Sequence, residues 1–443
     1  MKLFTCLLPT VALGAYCNGS PQKNPKDNEM PILSDEPTFV KEVENGRLYN
    51  VNTGNNVVTI AHVFGTPMEM GKAHGELLKD TIVEFMTTLF EYLLNEITEE
   101  INNHIEPNLP PSFVEDIAEG GIEWAMDKTI NITAPYTPDY FNQEIEGIAR
   151  ATGLSAHRLQ QIHMFGEITK GACSMFGVWD EALASGKGLL QGRTLDWDMG
   201  GPFRDYPHIT VYHPSEGWGN DFINLGWPGW IGSLTGMNDQ LMGISEIGAL
   251  WADHTFGHES RHGIPFTYLL RDILQWDKSL DDSKARVKGA TRTCNLILGV
   301  GDGKINEFNS VRYSYSKADF FDDKTMEPGP WCIEETQPCD WHPHIQNAVY
   351  HGMDWNCPNY SRRLSERINE HWGNISPENA ISDIIAHTCT GDVHNAVYDL
   401  TNNDFYFSVA SPHVYSGVPR NAYENSYYKL DADKLFAEEK PNL

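Results

Sequence analysis

The stretch Gly171-Ala172-Cys173-Ser174 sets one cysteine behind two very small residues and ahead of an apolar run, "MFGVW". A thiol that follows an unhindered peptide bond can attack that bond itself. If the Ala172–Cys173 bond is cut, Cys173 gains an α-amino group, which ordinarily titrates at about 7.7–8.0 and so suits it as general base for its own thiol. One residue then supplies nucleophile and base, and no histidine is required. The competing reading is a small buried strand residue, a common fate of cysteine. Further on, "GRTLDWDM" carries Arg193, Asp196 and Asp198. With a hairpin turn centred near Ser185 and Gly186, antiparallel pairing returns the chain opposite Cys173 at about residue 198. A guanidinium beside the thiol favours thiolate, and a carboxylate there could hold an amine. Arg193 and Asp196 are an odd number of residues apart, so a regular strand points them to opposite faces. A bulge or the strand end must bring them together.

Other residues invite chemistry and support it less well. His258-Glu259-Ser260-Arg261-His262 fits the H-E-x-x-H pattern of zinc proteases, with His254 one step earlier at the same spacing. That chemistry needs both imidazoles on one face of a continuous helix. Gly257 before the motif and Gly263 and Pro265 after it argue for a loop. "GVGDG" lacks a following Lys-Ser/Thr and reads as a hairpin turn, and His342-Pro343-His344 as loop polarity. Asn131, Asn359 and Asn374 head glycosylation sequons. Cys332 and Cys339 flank a polar loop and could close on each other, with Cys357 and Cys389 as a second bridge; spacing alone assigns neither. Cys294 reads as a small buried hydrophobe.

The elements that must position these residues change in texture along the chain. The first 15 residues, with Lys2, a short apolar run and small residues, read as a cleaved signal peptide. Residues 16–45 read as a flexible polar leader. From 46 to 172 the chain is mostly helical after a strand-turn-strand at 46–64, with helices from Met68 to about Asn103, around "SFVEDIAEGGIEWAM", after Thr137-Pro138 up to Gly153, and from Ser155. Thr137 reads as the N-cap of the third of these and Pro138 as its first helical residue. From 173 to 443 strands dominate, interrupted by helices near "PFTYLLRDILQW" and "SRRLSERINEHWG". The two segments read as one compact α+β domain of helical layers on stacked, mostly antiparallel sheets. A net charge of −29 argues against nucleic acid or anionic membranes as partners and suits an acidic compartment.

In order along the chain, seven segments resemble the cysteine N-terminal-nucleophile hydrolases. The likeness is to their penicillin acyltransferase-like group, related to acid ceramidase, N-acylethanolamine acid amidase and bile salt hydrolase. The segments are "GTPMEMGKAHGELLKD", "FNQEIEGIARATGLS", "GACS" with "GRTLDWD", "GSLTGMNDQLMGIS", "RTCNLILGVGDGKINEF", "PNYSRRLSERI" and "TGDVHNAVYDL". The resemblance spans most of the mature chain. It implies a four-layer αββα sandwich and self-cleavage between Ala172 and Cys173 into two fragments that stay associated. It also implies hydrolysis of linear amide bonds, with no cofactor or metal. Residue by residue, it implies Cys173 as nucleophile, Asp196 positioning its amine, Arg193 near the thiol, and Asn295 donating to the oxyanion. Arg363, or its neighbour Arg362, would serve on the substrate side. The implied substrate is an N-acyl amide or lipid such as ceramide, in a secreted or lysosomal lumen, without stable membrane insertion. Acyl transfer from the same acyl-enzyme, a zinc protease through His258, Glu259 and His262, and an inactive secreted scaffold are the alternatives. Thr194 stands where several relatives carry asparagine, "DQLMGIS" shifts the usual glycine, and a sugar at Asn359 would crowd the arginine helix.

Overall fold

The computed structural model describes residues 25–102, 111–168, 171–248, 258–326, 343–352, 360–413 and 420–443. The signal peptide, His254, His342, Cys332, Cys339, Cys357 and Asn359 lie outside them. Within them, the larger sheet takes β1 (Thr38–Val43), β2 (Gly46–Asn52), β3 (Val57–Gly65), β6 (His208–Pro214), β7 (Phe222–Gly226), β8 (Gly236–Asn238), β9 (Met242–Gly248), β10 (Asn295–Asp302), β11 (Glu307–Ser314) and β12 (Ala318–Phe321), in that spatial order. The smaller takes β13 (Ala348–His351), β4 (Ala172–Trp179), β5 (Leu189–Asp196), β14 (His394–Asp399), β15 (Asp404–Val409) and β16 (Tyr428–Asp431). Every ladder is antiparallel except β3 with β6. β4 packs across β9, β10 and β11, so the sheets face each other.

Helices gather on each sheet. In chain order these are α1 (Pro67–Leu77), α2 (Lys79–Asn102), α3 (Pro111–Gly120), α4 (Ile122–Thr133), α5 (Asp139–Thr152), α6 (Ala156–His163), α7 (Phe266–Trp276), α8 (Leu280–Gly289) and α9 (Tyr360–His371). α1, α7 and α8 lie against strands of the larger sheet, and α9 against β13 of the smaller. The protein is thus α+β, with two mostly antiparallel sheets. α1 and α5 cross in backbone contact: a Cβ on Gly71 would lie 2.0 Å from the Glu144 carbonyl oxygen, and one on Gly147 2.5 Å from that of Met68. The glycines of "GKAHG" and "EGIARATG" are what let these helices meet. Among the described residues, no helix is long and apolar enough to cross a membrane.

Several expectations need correction. Residues 25–45 are not a loose leader: Asn28 donates to the carbonyls of Tyr423 and Asn425, Leu33 bridges to Tyr428, and Thr38–Val43 adds a strand. The low apolar content that suggested disorder is offset by docking along partners from the far end of the chain. The helix expected around "SFVEDIAEGGIEWAM" is two, α3 and α4, parted at Gly121 with φ +81°. Thr137 does not cap α5; its hydroxyl donates to Thr133 O, and Pro138 occupies the cap position. Gly153 ends α5 in the left-handed conformation as expected.

Candidate active site

β4 begins at the junction where the helical half of the chain gives way to strands, and Cys173 is its second residue, fully buried. The loop joining β4 to β5 runs from Asp180 to Gly188, so the ladder sets Cys173 opposite Leu195 and Ala172 opposite Asp196. Residue 198, expected across from the thiol, lies beyond the strand, where Asp198 Oδ2 accepts from the Tyr92 hydroxyl at 3.0 Å. The ladder stays regular through Asp196, without a bulge.

Arg193 reaches the thiol. Its Nη1 donates to Cys173 Sγ at 3.3 Å and to the Thr194 carbonyl; Nε donates to Leu234 O at 3.3 Å, and Nη2 lies 3.5 Å from Glu246 Oε2. Both Arg193 and Glu246 are buried. Burial pushes the Cys173 thiol up to about 12, against the pull of the Arg193 guanidinium. This burial favours the protonated thiol at neutral pH. Asp196 leaves the strand on the opposite face from Arg193, and its Oδ1 accepts from the backbone N–H of Gly391 at 2.8 Å and Asp392 at 3.2 Å. Thiol and carboxylate thus flank the Ala172–Cys173 peptide from two sides. Thr194 ties this arrangement together, since its hydroxyl accepts from Ser174 N at 2.8 Å and meets Thr390 Oγ1 at 3.0 Å.

Asn295 opens β10 opposite Ser314 and is fully buried. Gly299 of β10 faces Met175, while Gly301 faces Gln191, the ladder partner of Gly177. The two strands therefore run the same way across the sheet interface, and Asn295 starts β10 at the end where Cys173 starts β4. Its neighbour Cys294 takes a left-handed φ of +62° and donates its thiol to Glu167 Oε2 at 3.5 Å. Glu167 also accepts from Phe266 N at 2.8 Å and from the Thr293 hydroxyl at 3.1 Å; burial raises its carboxyl to about 7. Of the paired arginines, Arg362 faces outward and bonds Glu366 at 3.2 Å. Arg363 is half-buried on the other side: burial and the Asp196 carboxylate push the Tyr360 phenol up while Arg363 pulls it down. Asn131 and Asn374 are both exposed.

The H-E-x-x-H segment is a loop. His258 and His262 are exposed, and Arg261 between them turns inward to pair with Asp116 and donate to Thr129 Oγ1 at 3.0 Å. The helix face a zinc site of this pattern needs is not formed.

Near the thiol lies a small pocket of about 50 Å³ walled by Phe165, Trp197, Phe203, Trp227 and Trp230. Leu195, Leu234 and Glu246 also line it, which places it against the cross-strand neighbour of Cys173 and two partners of Arg193. Sequence reasoning missed Glu246 and Glu167. The one available signal for Glu246 was a carboxylate inside the apolar strand "MGISEIG", where an unpaired charge would not be tolerated.

The fold and this site define an α+β protein with a buried thiol–guanidinium pair at the first residues of an inner strand. The chain belongs to the same family as the Dictyostelium discoideum proteins dcd1A and dcd1B. It is 33% identical to dcd1A over 449 residues, covering 98% of both chains, and 34% identical to dcd1B over 421 residues, covering 93% of this chain and 81% of that one. No family model matches it. Among solved structures, a Caenorhabditis elegans N-acylethanolamine-hydrolyzing acid amidase ortholog aligns at TM-score 0.39 and 14% identity, over 52% of this chain and 93% of that one. Conjugated bile acid hydrolase from Clostridium perfringens aligns at 0.37 and 12%, over 60% and 95%. Penicillin V acylase from Agrobacterium tumefaciens aligns at 0.36 and 12%, over 61% and 89%. Each score lies below 0.5.

Proposed function

We propose that this chain is a self-processing cysteine amidohydrolase of the N-terminal-nucleophile class, built as a four-layer αββα sandwich. The observation that carries the reading is the contact of Arg193 with the thiol of Cys173, one residue past an unhindered bond flanked by Asp196. In maturation the Cys173 thiol adds to the Ala172 carbonyl and the C–N bond breaks. The acyl group passes to sulfur while the nitrogen takes up the thiol proton and becomes the free α-amine. Water then hydrolyses the thioester and restores the thiol. In turnover the α-amine takes the thiol proton, and the thiolate adds to the substrate carbonyl. Asn295 donates to the resulting oxyanion, and the α-ammonium returns its proton to the departing amine. Water releases the acyl group; an amine in place of water gives acyl transfer. The aromatic pocket favours an apolar acyl group, in keeping with an N-acyl lipid such as ceramide as substrate. Arg363 would serve the substrate side. A secreted or lysosomal lumen, with glycans at Asn131 and Asn374, completes the reading.

Intact mass and N-terminal sequencing of the purified protein test it. Two fragments are expected, one ending at Ala172 and one beginning at Cys173, while Cys173→Ala remains one chain. An active protein that stays uncut would refute the mechanism.

A further inference from the structure

The loop "WPGWI", residues 227–231, carries two of the three tryptophans that wall the pocket, and it is pinned almost wholly by buried side chains from distant elements. Gly229 N–H donates to His74 Nε2 at 3.1 Å, and Ile231 N–H donates to His163 Nε2 at 2.9 Å. Arg271 Nη1 donates to Ile231 O at 2.9 Å, and the Trp227 indole donates to Phe203 O at 2.8 Å. His163 Nδ1 donates to Leu159 O at 2.7 Å, which fixes its tautomer and leaves Nε2 as the acceptor. Its ring stacks on Trp230 with centroids 4.9 Å apart. His74 Nδ1 is buried without a hydrogen-bond partner. An orphaned buried donor is costly, and here its cost accompanies an Nε2 kept for Gly229. Both rings are fully buried, and burial lowers His74 to about 3 and His163 to about 4, so each is neutral and able to accept.

Nothing in the helices that carry them requires these imidazoles. α1 is already locked to α5 by Gly71 and Gly147, and a leucine would fill either site with less desolvation. What the imidazoles add is a lone pair aimed at a loop N–H.

We propose that His74 and His163 are positioning residues whose neutral Nε2 atoms fix the Trp227–Trp230 wall and thereby set which acyl groups reach Cys173. The assignment of the pocket to the acyl group rests on the function proposed above. The test compares wild type, His163→Leu and His163→Gln, the last of which keeps an acceptor. Each is assayed with coumarin amides of acetyl, phenylacetyl, octanoyl and hexadecanoyl groups. Tryptophan fluorescence is titrated in parallel with the free acids of those acyl groups. His163→Leu is expected to raise KM about tenfold for the preferred acyl group with a smaller change in kcat, and to flatten the acyl preference. His163→Gln is expected to restore much of it. If His163→Leu does not fold, Trp230→Phe, which touches the wall alone, is expected to shift the preference in the same way. An acyl preference unchanged in His163→Leu, or unchanged in Trp230→Phe, overturns the proposal. A wild type that cleaves no amide yet binds the acids, with a ranking that His163→Leu alters, refutes the catalytic reading and leaves the clamp standing. Acids that leave wild-type fluorescence unchanged overturn the clamp as a specificity device.

Discussion

Glu246→Gln keeps the shape of the side chain and an acceptor for Arg193 while removing the charge, and so isolates what the carboxylate contributes. At the observed 3.5 Å separation, two unit charges attract by about 5 kcal/mol at an effective dielectric of about 20. Both side chains are buried, so solvent screens little of this. Removing one partner leaves the guanidinium uncompensated, and such losses run to about 3–5 kcal/mol. The comparison belongs in a Cys173→Ala background, where the chain stays whole and unfolding stays unimolecular. Urea unfolding of Glu246→Gln should show a loss of about 3–5 kcal/mol. Adding Arg193→Met, which removes the stranded charge and leaves an apolar side chain of similar length, should recover most of it. A loss below about 1 kcal/mol, or a double variant no more stable than the single one, would refute the idea that Arg193 depends on Glu246 for its charge balance.

Two further outcomes are expected. Asn295→Ala should fold and bind substrate nearly normally yet lose roughly 10²- to 10³-fold in turnover and mature more slowly; a variant that matures and turns over at the wild-type rate removes this residue from the site. His74 and His163 titrate in the folded protein near 3 and 4, below the unfolded value of about 6.5. The unfolded chain therefore binds more protons between these values, and the contribution of the neutral rings is complete above pH of about 6.5. It drains away as pH falls through the folded values. Urea midpoints measured against pH should decline less steeply on acidification in His163→Gln than in wild type, and parallel curves would contradict this.

Much of the site was legible because its residues lie on two consecutive strands, where local pattern carries far. The small residues before Cys173, the hairpin to Arg193 and Asp196, and the loop character of the H-E-x-x-H segment all follow from neighbours in sequence. The register was misplaced by three residues because Asp180–Ala182 coil as a 3-10 turn, which shifts the hairpin centre toward Cys173. Arg362 and Arg363 were inseparable in sequence; the helix phase turns Arg362 outward to bond Glu366 and leaves Arg363 half-buried. Glu246 showed only as a carboxylate in an apolar strand, with nothing to name its partner, and the two histidines gave no signal. Their meaning lies in partners on other elements, in the facing sheet for Glu246 and on the distant "WPGWI" loop for the two histidines. The leader was misjudged for the same reason, since the Asn28 side chain and the backbone at Leu33 find their partners some 390 positions later.

Among the described residues the single parallel ladder, β3 with β6, joins a strand that precedes Cys173 to one that follows it. In the intact chain that ladder is an ordinary internal contact. If the proposed cut before Cys173 is made, the same hydrogen bonds would become a subunit interface, and neither fragment would own a complete larger sheet. Reassembly would then require two chains to find each other, so it would depend on concentration where folding of the precursor does not. Scission would turn a reversible folding problem into a one-way step: the protein must be folded before it is cut, and a cut protein that unfolds at dilution has no direct route back.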